Sequence, residues 1–224
     1  MTFDEEIERD IRAELQWESR LSGSDIKVAV HNGHITLTGT TDSYPKKLNA
    51  ERAVRRVAGV KAVFNDIEVR IPAMSRRSDG DIKRAVENAI TWNSAIDENK
   101  IKVTVEDGWV TLEGNVSWDY QRSKARLLAE DIIGVIGVTN LVKVMPSAPT
   151  SAEVLKNIAA AFKRNFYLNP DRIKVEVSGS KAILTGVVRT LPEKSAAEEA
   201  AWSAPGITEV DNKLDVNHSE IFAW

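Results

Sequence analysis

Apolar and polar positions change period several times along the chain, in an order that repeats. Phe3, Ile7, Ile11 and Leu15 recur every four residues, which predicts a helix with one buried face. From Ile26 the period drops to two. Ile26, Val28 and Val30 alternate with polar residues, predicting a strand buried on one side. Asn32-Gly33 signals a tight turn, because such turns require positive φ. Ile35 and Leu37 form the return strand, which Gly39 is expected to end. A helical period then resumes through Ala50, Ala53, Val54 and Val57, and Gly59 stops it. Val63, Phe64, Ile67 and Val69 read as a third strand.

The same order returns twice. Gly33, Leu37, Gly39, Gly59, Val63 and Asn65 recur 75 positions later as Gly108, Leu112, Gly114, Gly134, Val138 and Asn140. A further 72 positions on stand Ser180, Leu184, Gly186, Gly206, Val210 and Asn212, with Gly179 beside the one lost glycine. Ile82, Val86 and Ile90, then Val154, Ile158 and Phe162, repeat the first helix, with Asp79 and Ser151 as candidate N-caps. Ala125, Leu128, Ala129 and Ile132 repeat the second. The predicted fold is α+β: three tandem α-β-β-α-β units, each two helices on one face of a three-stranded mixed sheet. The units span 1–72, 78–146 and 150–218, followed by an apolar C-terminal tail, 219–224. The joins Pro72–Ser78 and Met145–Thr150 are short, so neighbouring units sit close together. Units of about 70 residues have small cores, so contacts between them contribute stability.

The hairpin pattern V-x-V-x-x-G-x-V-x-L-x-G, the Gly-Val helix stop and the strand V-x-N-x-[IL]-x-V together resemble the BON domain, a bacterial module named after osmotic-stress and nodulation proteins. In this chain the last two read Gly59-Val60 with Val63–Val69, and Gly134-Val135 with Val138–Val144. The third copy departs to Ala204-Pro205-Gly206-Ile207 with Val210–Val216. The resemblance covers nearly the whole chain. It implies a non-enzymatic protein of the envelope or of stress response. Some members are thought to bind phospholipid, and a cytoplasmic member with an additional peptidoglycan-binding-type module binds potassium ions.

Composition narrows the chemistry. The net charge of −3 gives no basic excess, so no nucleic-acid partner is expected. With no cysteine and only His31, His34 and His218 as histidines, neither a zinc site nor a His-based catalytic constellation is expected. No carboxylate pair stands out as acid and base, and the chain reads as not an enzyme. The acidic start, Met1 to Asp10, has no apolar segment of the secretory type. The expected location is therefore cytoplasmic, with a periplasmic or membrane-associated location as the alternative. Hairpin glycines and the repeated Asn65, Asn140 and Asn212 are read as turn and tie chemistry. Gly134-Val135-Ile136-Gly137 imitates a backbone-clamping GxxG, but the other copies lack it.

The copies differ in their second helices. The first carries Lys46, Lys47, Arg52, Arg55 and Arg56; the second carries Trp118, Tyr120, Arg122, Lys124 and Arg126. An aromatic helix start with basic residues behind it fits an anionic membrane surface or a partner. The third is acidic at Glu193, Glu198 and Glu199, so basic and acidic helices are placed to meet head to tail, within a chain or between chains. Phe222 and Trp224 in the tail are candidate contacts of a homo-oligomer. No cofactor is expected except a possible potassium ion, whose ligands would be backbone carbonyls such as those of the Gly134 and Asn140 segment. Three readings stand together: a potassium binder, an anionic-phospholipid or envelope binder, and a self-assembling scaffold with a passage for small molecules.

Overall fold

The computed structural model describes residues 3–96, 100–145, 158, 160–162 and 172–217. The first unit runs α1 (Phe3–Trp17), β1 (Asp25–His31), β2 (His34–Thr41), α2 (Tyr44–Arg55) and β3 (Ala62–Val69). The second runs α3 (Asp79–Thr91), β4 (Ile101–Glu106), β5 (Trp109–Val116), α4 (Asp119–Glu130) and β6 (Gly137–Val144). In the third, Ile158 and 160–162 are helical, followed by β7 (Ile173–Ser178), β8 (Lys181–Val188), α5 (Leu191–Trp202) and β9 (Glu209–Val216). Each sheet has its three strands in sequence order, an antiparallel hairpin followed by a parallel pair. The parallel pair is joined through the second helix, as strands of like direction require. The α+β repeat expected from the periodicity is therefore the fold.

The apolar stripes face inward as their spacing demands. Ile7 and Ile11, Ile82, Val86 and Ile90, and Ile158 and Phe162 are buried. Val154 lies outside the described residues. The core of the second unit is one cluster; those of the first and third units join in another. Tyr44 of α2 and Trp202 of α5 pack onto the second unit's core from outside it.

Both N-G and D-G turns are left-handed as predicted, with φ of 52° and 78° at Asn32 and Gly33 and 49° and 80° at Asp107 and Gly108. Gly39 does not end its strand. β2 continues to Thr41, and Gly39 pairs with Ile26 at φ 119°. A Cβ there would lie 1.9 Å from the Asp25 carbonyl oxygen, so glycine permits a close backbone approach inside the sheet. Gly114 and Gly186 do the same against Lys100 and Arg172.

Asp79 is not the N-cap of α3. Ser78 is, its hydroxyl accepting the Asp81 N–H. Asp79 instead receives the Asp107 and Gly108 N–H groups, both at 2.9 Å, and so fixes the hairpin turn to the helix start. Asp4 holds Asn32 and Gly33 in the same way. Both Ser78 and Asp79 have capping chemistry, and the tertiary contact decides between them. Ser151 lies outside the described residues. Asn65, Asn140 and Asn212 each donate to a carbonyl of the second helix (Lys47, Arg122 and Lys194) and accept an N–H two residues on. They tie strand to helix rather than close a turn.

Candidate functional site

The second helices are brought together by contacts between units. Trp118 precedes α4 in extended conformation, as its N-cap residue. One turn on, Tyr120, Arg122 and Lys124 line an open cleft of about 560 Å³ with Trp118 and Leu127. The facing wall is α5, which contributes Ser195, Glu198, Glu199 and Trp202. Four of the five basic and aromatic residues singled out by sequence therefore share one cleft. Arg126 is directed elsewhere, to Glu130 at 2.6 Å, and Glu130 in turn meets Arg52 of α2 at 3.4 Å. Phe222 and Trp224 lie outside the described residues.

The cleft is aromatic with mixed charge. The Arg122 guanidinium sits over the Trp202 ring, 4.3 Å from its centre, and pairs with Asp119. Stacking a weakly hydrated guanidinium on an indole face contributes about 0.5–2 kcal/mol, which helps hold the second and third units together. Glu198 accepts from Asn212, while Glu199, Tyr120 and Lys124 are exposed. Basic α4 and acidic α5 face each other across the cleft inside the chain, but the contact between them is the Arg122 stack on Trp202 rather than an ion pair. The ion pair between units joins α2 to α4 through Arg52 and Glu130.

Much of the basic charge on these helices is matched locally. Lys46 pairs with Asp42 at 2.8 Å, Arg55 with Glu51 at 2.9 Å and Arg56 with Glu14 at 2.8 Å. The Lys46 partnership, with its hydrogen bond foremost, holds the Asp42 carboxyl below its ordinary value. Such pairs contribute about 0–1 kcal/mol each to stability, but they lower the charge free to attract an anionic surface.

Sequence reasoning passed over two features. Trp202 stands at the repeat position held by Arg55 and Glu130, so aligning the copies exposes it as the residue that differs most. Trp17 and Trp92 are one repeat apart at the ends of α1 and α3, and each is 87% exposed. The signal for them was their recurrence off the buried stripe.

Other candidates resolve into structure. His31 and His34 face each other across the end of the β1–β2 hairpin, and His31 Nε2 lies 3.1 Å from the Asn32 amide nitrogen. His218 lies outside the described residues, among which no group of His, Asp and Glu is arranged to hold a metal. Gly59 and Gly134 do not stop the second helices: α2 ends at Arg55 with Arg56 as C-cap, and α4 at Glu130 with Asp131 as C-cap. The glycines, at φ 85° and 98°, shape the turn beyond. Ile136 N–H donates to the Gly108 carbonyl, and the Asn140 side chain is committed to Arg122 and Val142. Among the described residues no helix is long and apolar enough to cross a membrane.

Three repeats of one helix–hairpin–helix–strand module define a tandem modular protein. Residues 3–71, 78–146 and 150–218 each match the BON domain, and the chain belongs to that family. It is 26% identical over 145 residues to the 21 kDa hemolysin of Actinobacillus pleuropneumoniae, covering 63% of this chain and 73% of that protein. It is 25% identical over 149 residues to Osmotically-inducible protein Y of Escherichia coli (strain K12), covering 62% and 72% respectively. Among solved structures, CdsD, a structural protein of the Type III secretion system of Chlamydia trachomatis, aligns over 95% of this chain and 92% of its own, at 15% identity and a TM-score of 0.27.

Proposed function

We propose that this is a non-catalytic binding protein of the bacterial osmotic-stress response, working at the envelope, and that it meets anionic phospholipid through exposed aromatic and basic side chains. The family and the osmotically inducible relative support the stress and envelope part of the reading. They favour an envelope location over the cytoplasmic one expected from the N-terminal residues.

The observation that carries the lipid reading is the matched pair Trp17 and Trp92, each 87% exposed at the same place in two units. Indole rings favour the water–lipid boundary, where the ring is buried and the N–H stays solvated. Exposed Met74, between the units and next to Arg76 and Arg77, adds an apolar tip with basic flanks. Tyr120 and Lys124 on the cleft rim are a further exposed aromatic and basic pair. Arg122 and Arg126 have partners inside the chain and contribute less charge to it.

Co-sedimentation with vesicles of phosphatidylglycerol and of phosphatidylcholine tests this. The protein is expected to pellet with the anionic vesicles, and Trp17→Ala with Trp92→Ala is expected to abolish pelleting. Equal pelleting of wild type and double variant removes the tryptophans from the reading. Native mass spectrometry in potassium and sodium salts is the companion measurement. A retained potassium ion, or a homo-oligomer with no lipid affinity, would replace the lipid reading by one of the other two.

A further inference from the structure

The contact between the first and second units is built around a carboxylate that has lost its water. Glu130, the last residue of α4, has a side chain only 3% exposed. The corresponding residues in the other units are Arg55 and Trp202, so the buried acid is special to this contact. From its own helix it meets Arg126 at 2.6 Å, with Asp131 next in sequence. From α2 it meets Arg52 at 3.4 Å, and it and Glu51 both act electrostatically on the half-buried Tyr44. Tyr44 also packs against the core of the second unit. Both arginines keep about half their side-chain surface in water, 50% for Arg52 and 45% for Arg126. The cations are solvated and the anion is not.

We infer that Glu130 makes the contact between the first and second units a proton-dependent latch that tightens on acidification. This goes beyond the lipid reading and does not depend on it. An ordinary surface salt bridge weakens in acid; here the larger effect is removal of the charge buried at this contact. Neutralising Glu130 leaves two arginines that water already serves. The burial also raises the Glu130 pKa above its ordinary 4.5, outweighing the opposing pull of Arg126 and Arg52. The sign follows by linkage. A group whose pKa is higher in the docked state binds its proton more tightly there, so docking gains from acid. The gain is fully present below the undocked pKa and is lost as pH rises through the docked one. One proton limits the change in the docked-to-undocked ratio to about tenfold per pH unit.

The chain has no cysteine, so two dyes can be placed without background. Lys27→Cys and Lys102→Cys put them at matched, exposed positions on β1 and β4. Energy transfer is followed from about pH 8 to about pH 4, below the ordinary 4.5 of a glutamate, with far-ultraviolet circular dichroism confirming that the units stay folded. Transfer indicating more of the compact pair is expected to rise as pH falls. Glu130→Gln, a near-isosteric neutral side chain, is expected to hold the acid-side value throughout. A wild-type profile that is flat or falls with acid overturns the latch. So does a Glu130→Gln profile that follows the wild type.

Discussion

Asn140→Ala removes a side chain that serves a helix and a strand together. Its amide nitrogen donates to the Arg122 carbonyl at 2.9 Å, and its oxygen accepts the Val142 N–H at 3.2 Å. Val142 is buried, and truncation leaves its N–H without that acceptor. The Arg122 carbonyl loses one of two possible donors, a smaller cost. An unsatisfied buried N–H costs about 1–3 kcal/mol, so a loss of about 2 kcal/mol is expected for the second unit. That corresponds to roughly a 30-fold rise in local opening. Hydrogen exchange of the peptide covering β6 measures it directly. Asn140→Asp keeps the acceptor but turns a carboxylate towards the Arg122 carbonyl, so it is expected to lose at least as much. Asn65→Ala and Asn212→Ala should act alike in their own units, since the same two bonds recur there. Unchanged protection of β6 in Asn140→Ala would refute the tie. If the variant also lost vesicle binding, the asparagine would have to be reassigned to a ligand.

Two further substitutions test the local devices. Gly114→Ala places a Cβ 1.9 Å from the Lys100 carbonyl oxygen and should cost more than about 4 kcal/mol in urea unfolding of the second unit. Gly23→Ala, also at positive φ but with open space around it, should cost only about 1–2 kcal/mol; equal losses would show that φ rather than the close approach matters. Asp79→Ala removes two bonds to the Asp107–Gly108 turn and should lower stability by about 1–3 kcal/mol by calorimetry and speed hydrogen exchange at Asp107 and Gly108; unchanged exchange there would refute the tie.

The hairpins were legible because alternation and the Asn32-Gly33 and Asp107-Gly108 pairs are local signals whose geometry follows from φ alone. Gly39 was misread for the same reason: a glycine beside a strand looks like a stop until the Asp25 carbonyl is seen against it. The role of Asp79 depends on a turn 28 residues away, and no local rule could supply that. The site was half legible. Trp118, Tyr120, Arg122 and Lys124 stood out by residue type, but the opposing wall of Glu198 and Trp202 appears only when the third unit docks. Several ion pairs that absorb the basic helices were readable at four-residue spacing, as Asp42–Lys46, Glu51–Arg55 and Arg126–Glu130 are. The Arg52–Glu130 contact between units was not.

The lipid-contact claim is tested most directly by tryptophan position against vesicle binding. Trp17→Ala, Trp92→Ala and their double variant should show intact circular dichroism, because both rings lie almost wholly in solvent. Each single variant should weaken co-sedimentation with phosphatidylglycerol vesicles, and the double variant should remain in the supernatant. If the double variant pellets like wild type, or if wild type does not pellet at all, the envelope surface proposed for these residues is wrong.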